Sequence, residues 1–195
     1  EGNRGLFDGV DSKGSYSAAE LAATLGLPVL LVVDCTKTTR TVAALVMGCV
    51  AMGEGITLAG VVLNRIGSSR HERVVRQAVE RYTGVPVLGA VPRLSYDVFP
   101  QRHIGVTPCQ EYEGAPRAVA RLGEFLRGCV DVERVVAVAG SFSAGCGKDV
   151  YGLWPRLARR AGVGVIRDAA FQFYYPENLR ALERLGAELV EINAL

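Results

Sequence analysis

Glu1 and Asp8 are two carboxylates seven residues apart on the segment Glu1-Gly2-Asn3-Arg4-Gly5-Leu6-Phe7-Asp8-Gly9. Gly2, Gly5 and Gly9 let that backbone bend tightly and approach a ligand without Cβ clashes. A loop of this kind can hold Mg²⁺ and phosphate oxygens, because Mg²⁺ takes one or two carboxylates and completes its shell with phosphate oxygens and water. The plain alternative is a solvated glycine-rich turn that carries two acids. Three further groups of residues favour a ligand. Asp34 ends an apolar run, where ligands gather in open α/β sheets, although a cap for Thr36 to Thr38 is the alternative. Lys37, Thr38, Thr39, Arg40 and Thr41 crowd the following helix start, where N–H groups and hydroxyls suit an anion. Asn64 follows a second apolar run and precedes Arg65. Its amide can accept from an adenine amino group and donate to a ring nitrogen, or it can simply form a turn. Pro92 and Arg93, at the end of a third run, would line the same base pocket. Arg102 and His103 lie in a Pro- and Gly-bounded loop that suits a carboxylate or phosphate.

The elements that must position these residues follow from periodicity. Apolar runs alternate with helical patterns, the signature of parallel strands with crossover helices. Residues 28–34 are apolar almost throughout, as a strand buried on both faces should be. A helix is expected over 38–52, with Ala43, Ala44, Val46, Met47 and Val50 on its apolar face. Strands follow at 56–64 and 85–91, and a helix at 70–82 keeps His71 on its surface. Ser17 caps a short helix to Leu25, with Glu20 at the capping-box position. Residues 95–113 read as a long functional loop or linker, and 116–128 as a helix. Residues 131–139 are ambiguous between helix and strand. A strand at 163–166, a helix at 178–185 ending at Gly186, and a strand at 188–192 close the chain. Phe171, Phe173, Tyr174 and Tyr175 form an aromatic cluster expected in a core or an interdomain seam.

Composition sets the outer limits. The 195 residues are 49% hydrophobic and 22% charged, as in a globular enzyme, and suffice for about one domain with part of a second. A net charge of +2 without a basic run argues against nucleic acid as partner. Cysteines 35, 49, 109, 129 and 146 show no metal spacing, so reduced thiols are expected, with Cys35 and Cys49 buried. No apolar run reaches membrane-spanning length, and no secretory signal is evident, so a soluble cytoplasmic protein is expected. The residues Gly145-Cys146-Gly147-Lys148-Asp149 imitate a phosphate-binding loop, but Phe142 and Asp149 stand where Gly and Ser or Thr are required. The segment 141–150 is the expected flexible stretch. Without an initiating Met, the chain reads as a piece of a longer polypeptide.

In order along the chain, EGNRGLFDG (1–9), SAAELAATLGLPVLLVVD (17–34), AGVVLNRIGSSRH (59–71), PVLGAVPR (86–93), PQRHIGV (100–106) and RDAAFQFYYPENLRALERLGAELVEINAL (167–195) resemble the cobyrinic acid a,c-diamide synthase family of cobalamin biosynthesis. The resemblance implies an α/β fold. Its first portion would be a P-loop NTPase-like, dethiobiotin-synthetase-like parallel sheet with crossover helices, followed by the start of a class I glutamine amidotransferase-like domain. Residues 1–112 would belong to the ATP-binding amidoligase domain, 113–162 to a helical linker, and 163–195 to the beginning of the amidotransferase domain. It also resolves 131–139 as an Asp-capped helix.

The same resemblance implies a ligase that uses ATP and Mg²⁺ to activate the a- and c-carboxylates of a corrinoid, as acyl phosphates, for attack by ammonia drawn from glutamine. Glu1 and Asp8 would be the catalytic carboxylates and metal ligands. Asn64, Arg65, Pro92 and Arg93 would bind the nucleotide, and Asp34, Thr38, Thr41, Arg102 and His103 the substrate or phosphate. His103 sits in an Arg-His-Ile that departs from the family's Arg-His-Leu. No phosphate-binding loop and no glutaminase nucleophile elbow occur in the chain, so this piece alone is expected to be inactive. A homodimer is compatible with the pattern. Hydrogenobyrinic acid and nickel-sirohydrochlorin are rival substrates, and a non-catalytic nucleotide-binding module of the same fold is a rival from another class.

Overall fold

The computed structural model describes residues 2, 5–53, 55–95, 114–141, 161–168, 170, 171 and 173–194. They fall into two compact units, Glu1–Val98 with Val119–Phe142, and Phe99–Ala118 with Ser143–Leu195. The segments 95–113 and 141–150 lie wholly or almost wholly outside the described residues.

The first unit opens with α1 (Ala18–Leu25), β1 (Pro28–Asp34), α2 (Thr41–Met52), β2 (Thr57–Ile66), α3 (Ser69–Thr83) and β3 (Val87–Pro92). The three strands form one parallel sheet in the order β1-β2-β3. Parallel neighbours need a crossover long enough to return the chain, and α2 and α3 supply it. Both helices press on the same face. Val42 and Ala43 with Val46 on α2, and Val75, Ala78 and Val79 on α3, meet Val33, Val61, Leu63 and Ala90 in a single core cluster. The spacing i, i+3, i+4 on each helix is what makes that contact continuous.

Each helix boundary has a local cause. Ser17 Oγ accepts from Glu20 N–H to start α1, and Glu20 answers by accepting from Tyr16 N–H, one residue earlier than a standard capping box. Ser68 Oγ accepts from His71 N–H to start α3, and Gly84, at φ +70°, ends it. Arg76 on α3 ties helix to sheet, reaching Glu72 at 2.9 Å and the Val87 carbonyl at 2.7 Å.

Three expectations are corrected. Helix α2 begins at Thr41 rather than Thr38, because Lys37 sits at φ +55° and breaks the helical path. Strand β1 is not buried on both faces: Val33 is 4% exposed but Val32 is 61% exposed. Among the described residues β1 is an edge strand, and the side chain of Val32 on its second face is open to solvent. Met47 and Val50, expected on the apolar face of α2, are about half exposed, and Cys49 is only half-buried, because the helix packs through Val42, Ala43 and Val46 instead; Cys35 is fully buried.

At the opposite edge, the chain after α4 (Ala115–Arg127) runs against β3. Ala90 N–H donates to Cys129 O at 2.9 Å and Asp131 N–H to Leu88 O at 2.8 Å. Gly89 is required there, since a Cβ would lie 2.8 Å from Val130 Cγ2 and 3.0 Å from the Cys129 carbonyl. Asp131 then caps α5 (Val132–Gly140), accepting from Arg134 N–H, so the ambiguous segment is a helix.

In the second unit β4 (Ala161–Ile166) and β5 (Ala187–Ile192) pair in parallel, connected through α6 (Pro176–Arg184). Asp168 accepts from the backbone N–H groups of Ala170, Phe171 and Ala194, and Tyr174 donates to Ile166 O at 2.6 Å. Phe171, Phe173 and Tyr175 are more than half exposed, so these described aromatics form no core, contrary to one of the two expectations for them.

Candidate functional site

Parallel strands bring all their C-terminal ends to one side, and here Asp34, Asn64 and Pro92 end up there together. Asp34 is the register partner of Asn64, and Ile66 that of Pro92. Between Leu63 and Ile66, strand β2 advances three residues while β3 advances two, from Ala90 to Pro92. The extra residue is a bulge, and Arg65 within it adopts φ +59°. That backbone turns the Arg65 side chain back across β1, where its Nη1 meets Asp34 Oδ2 at 3.0 Å. A residue expected among the nucleotide contacts and one expected among the substrate contacts are thus joined in one ion pair.

Asp34 is fully engaged. Oδ1 accepts from Thr36 N–H at 2.8 Å and from Thr36 Oγ1 at 2.5 Å. The hydrogen bonds from Thr36 hold its carboxyl below the ordinary range; burial opposes them, and the Arg65 charge adds a lesser lowering effect. Asn64 Oδ1 accepts from Arg65 N–H at 2.9 Å, and Asn64 O accepts from Cys35 N–H at 2.9 Å, so this Asn shapes the turn. Cys35 is fully buried, which with the adjacent Asp34 charge pushes its thiol up to about 11. It is a packing group.

Beside these strand ends lies an open cleft of about 650 Å³. Its walls are the loop after β1 and the start of α3, with Arg93 from the end of β3. Lys37, Arg65, Arg70 and Arg93 face it together with Thr36, Thr38 and Thr39, and among the described residues no Asp or Glu lines it. Such a wall attracts anions. Thr38 Oγ1 is shut off from solvent and has no hydrogen-bond partner. Thr41 is exposed on the first turn of α2 outside the cleft lining, and neither Asn64 nor Pro92 is among the lining residues.

His71 is not simply a surface residue of α3. It is half-buried, its Nδ1 accepts from Gly67 N–H at 3.1 Å, and its Nε2 lies 2.5 Å from Thr38 O. Sequence reasoning missed His71, Ser68 and Arg70 as part of the site. The available signal was their position just after a strand end, with Ser68 capping three residues before His71.

The glycine-rich segment forms its own structure nearer α1. Asp8 is exposed, and its Oδ2 accepts from Gly5 N–H at 3.0 Å. Ala19 N–H donates to Leu6 O at 2.9 Å, which docks the loop on α1. Gly9 admits no substitute, since a Cβ would stand 2.3 Å from Ser15 O. Asp11 accepts from Ser15 and Lys13, which lowers its pKa. Glu1, Arg102 and His103 lie outside the described residues. Among the described residues no group of three or more His, Cys, Asp or Glu could hold a metal ion. One exposed carboxylate still fits an Mg²⁺ that draws its other ligands from phosphate and water.

The parallel α/β sheet carries at its strand ends a cationic cleft suited to an anionic ligand. The chain belongs to the family described as the AAA domain, whose model matches residues 1–100. Over its whole length it is 42% identical to a cobyrinate a,c-diamide synthase of Magnetococcus marinus and 32% identical to one of Caldanaerobacter subterraneus. It is 40% identical to a hydrogenobyrinate a,c-diamide synthase of Mycobacterium tuberculosis. The chain spans 43%, 42% and 44% of the length of these three relatives. No solved structure matches it significantly. No helix of the described residues is long and apolar enough to cross a membrane.

Proposed function

We propose that this chain forms the carboxylate-activating part of an ATP-driven ligase that amidates the a- and c-carboxylates of cobyrinate, with glutamine as the nitrogen source. The observation that carries the reading is the cleft, with four cationic side chains and no acid in its lining. A corrinoid acid and a nucleotide triphosphate are both polyanions, and a wall of cationic side chains attracts such groups and can hydrogen-bond their oxygens.

In this reading Arg65 and Arg93 bind the nucleotide, with Asn64 and Pro92 behind them shaping its pocket. Lys37, Thr38 and Thr41 receive a substrate carboxylate or a phosphate, and Arg102 and His103 assist. The orphaned Thr38 hydroxyl represents about 1–3 kcal/mol that an incoming oxygen would recover once the side chain turned towards it. Asp34 holds Arg65 in place rather than touching substrate. Glu1 and Asp8 would hold Mg²⁺, which, when bound, neutralises charge on the phosphates. The carboxylate oxygen attacks the γ-phosphorus and ADP leaves. Ammonia then displaces phosphate from the acyl phosphate, so each amide formed consumes one ATP. The amidotransferase portion beginning near residue 163, the division at residues 112 and 162, a homodimer and a cytoplasmic location complete the reading.

The 40% identity to a hydrogenobyrinate enzyme supports the metal-free macrocycle as a second substrate. The test uses the longer protein containing this chain, supplied with MgATP, glutamine and either macrocycle. Corrinoid-dependent ADP release with two amidations per macrocycle is expected. ADP release that ignores the corrinoid would overturn the reading in favour of a nucleotide-binding module.

A further inference from the structure

The bonds of His71 fix its proton. Gly67 N–H is a donor, so Nδ1 must be a bare acceptor, and Thr38 O is an acceptor, so Nε2 must carry the hydrogen. Only the neutral Nε2–H imidazole satisfies both. The two partners lie in different loops, the turn after β2 and the loop after β1, and both loops line the cleft. The loop after β1 needs such a tie. Lys37 within it is held at φ +55°, and Thr38 N–H is satisfied only by the nearby Cys35 O at 3.2 Å.

We infer that His71 is a positioning residue. As the Nε2–H tautomer it staples the loop after β1 to the start of α3 and so fixes Lys37 and Thr38, on one wall of the cleft, relative to Arg70 on the other. The inference rests on the reading of the cleft as an anion site, and it adds the residue that sets the cleft's width. Its effect passes through Thr38 and Gly67, and it needs no contact between His71 and the ligand.

Two variants separate the two bonds. In His71→Gln the side-chain amide can still donate to Thr38 O, whereas in His71→Asn it can only accept from Gly67 N–H. The probe is inorganic pyrophosphate, titrated by calorimetry against the full chain. Loss of the loop tie should weaken binding about tenfold in His71→Asn, the effect of one hydrogen bond of typical net strength, and His71→Gln should restore most of it. Nitrogen NMR of the wild-type imidazole should report a protonated Nε2 and an unprotonated Nδ1 without any ligand. The opposite tautomer would overturn the inference even if both variants failed to fold. Equal binding by wild type and His71→Asn would overturn it while leaving the anion cleft intact. Failure of the wild-type chain to bind pyrophosphate would overturn the cleft reading, and this inference with it.

Discussion

Replacing Arg65 by glycine and by alanine separates its backbone from its charge. An L-residue held near φ +60° costs about 1–2 kcal/mol, and Arg65 is held at φ +59° inside a strand end. Glycine removes that strain but loses about 0.5–1 kcal/mol through the greater freedom of its unfolded chain. Alanine keeps the strain. Both remove the pair with Asp34, whose two side chains are 60% and 52% exposed, so that loss is small and common to both. Arg65→Gly should therefore be more stable than Arg65→Ala by about 0.5–1 kcal/mol. In urea unfolding with a slope of about 2 kcal/mol/M this separates the midpoints by about 0.25–0.5 M. Pyrophosphate affinity should fall tenfold or more in both, since a charge-assisted hydrogen bond of about 1.5–3 kcal/mol is gone. Equal midpoints would refute the strain argument, and undiminished affinity in both variants would refute the role given to Arg65 in the cleft.

Leu63, fully buried at the centre of the sheet, should cost about 3 kcal/mol or more as Leu63→Ala, read from the same urea curves. Asp34 has a lowered folded pKa, so its contribution to stability is complete above about pH 4 and is lost as the pH falls through the folded value; Asp34→Asn should flatten the acid side of the stability–pH curve. Gly9→Ala forces a Cβ into backbone that cannot yield, and proteolysis of the intact chain should shift to cleavage between residues 5 and 17. With its thiol near 11, Cys35 is about one part in a thousand thiolate at pH 8, so iodoacetamide should label it only after denaturation.

The parallel strands and most helices were legible because apolar runs and capped amphipathic segments are local signals. Ser17, Ser68 and Asp131 each announce a helix within three residues. What the sequence hides depends on distance or on backbone conformation. His71 meets Thr38 across 33 residues, so nothing near either one marks the contact. Lys37 and Arg65 take left-handed conformations that neither residue type advertises, and these two positions account for the late start of α2 and for the pairing of Arg65 with Asp34. The exposure of Val32 reflects its neighbours in the sheet rather than its own apolar run. The convergence of Asp34, Asn64 and Pro92 was readable as a rule of parallel sheets, but that their neighbours Thr36, Arg65 and Arg93 would line the cleft instead of them was not.

The strap of Cys129 to Asp131 along β3 gives the sheet a polarity that its three strands alone lack. One rim is sealed by main-chain bonds, while among the described residues the rim of β1 keeps its peptide groups and the bare face of Val32. Among the described residues, a strand recruited to this sheet, whether from elsewhere in a longer polypeptide or from a stray chain at high concentration, therefore meets open peptide groups alongside β1. Enlargement of the sheet and its aggregation would then compete for the same rim, the one that opens next to Asp34.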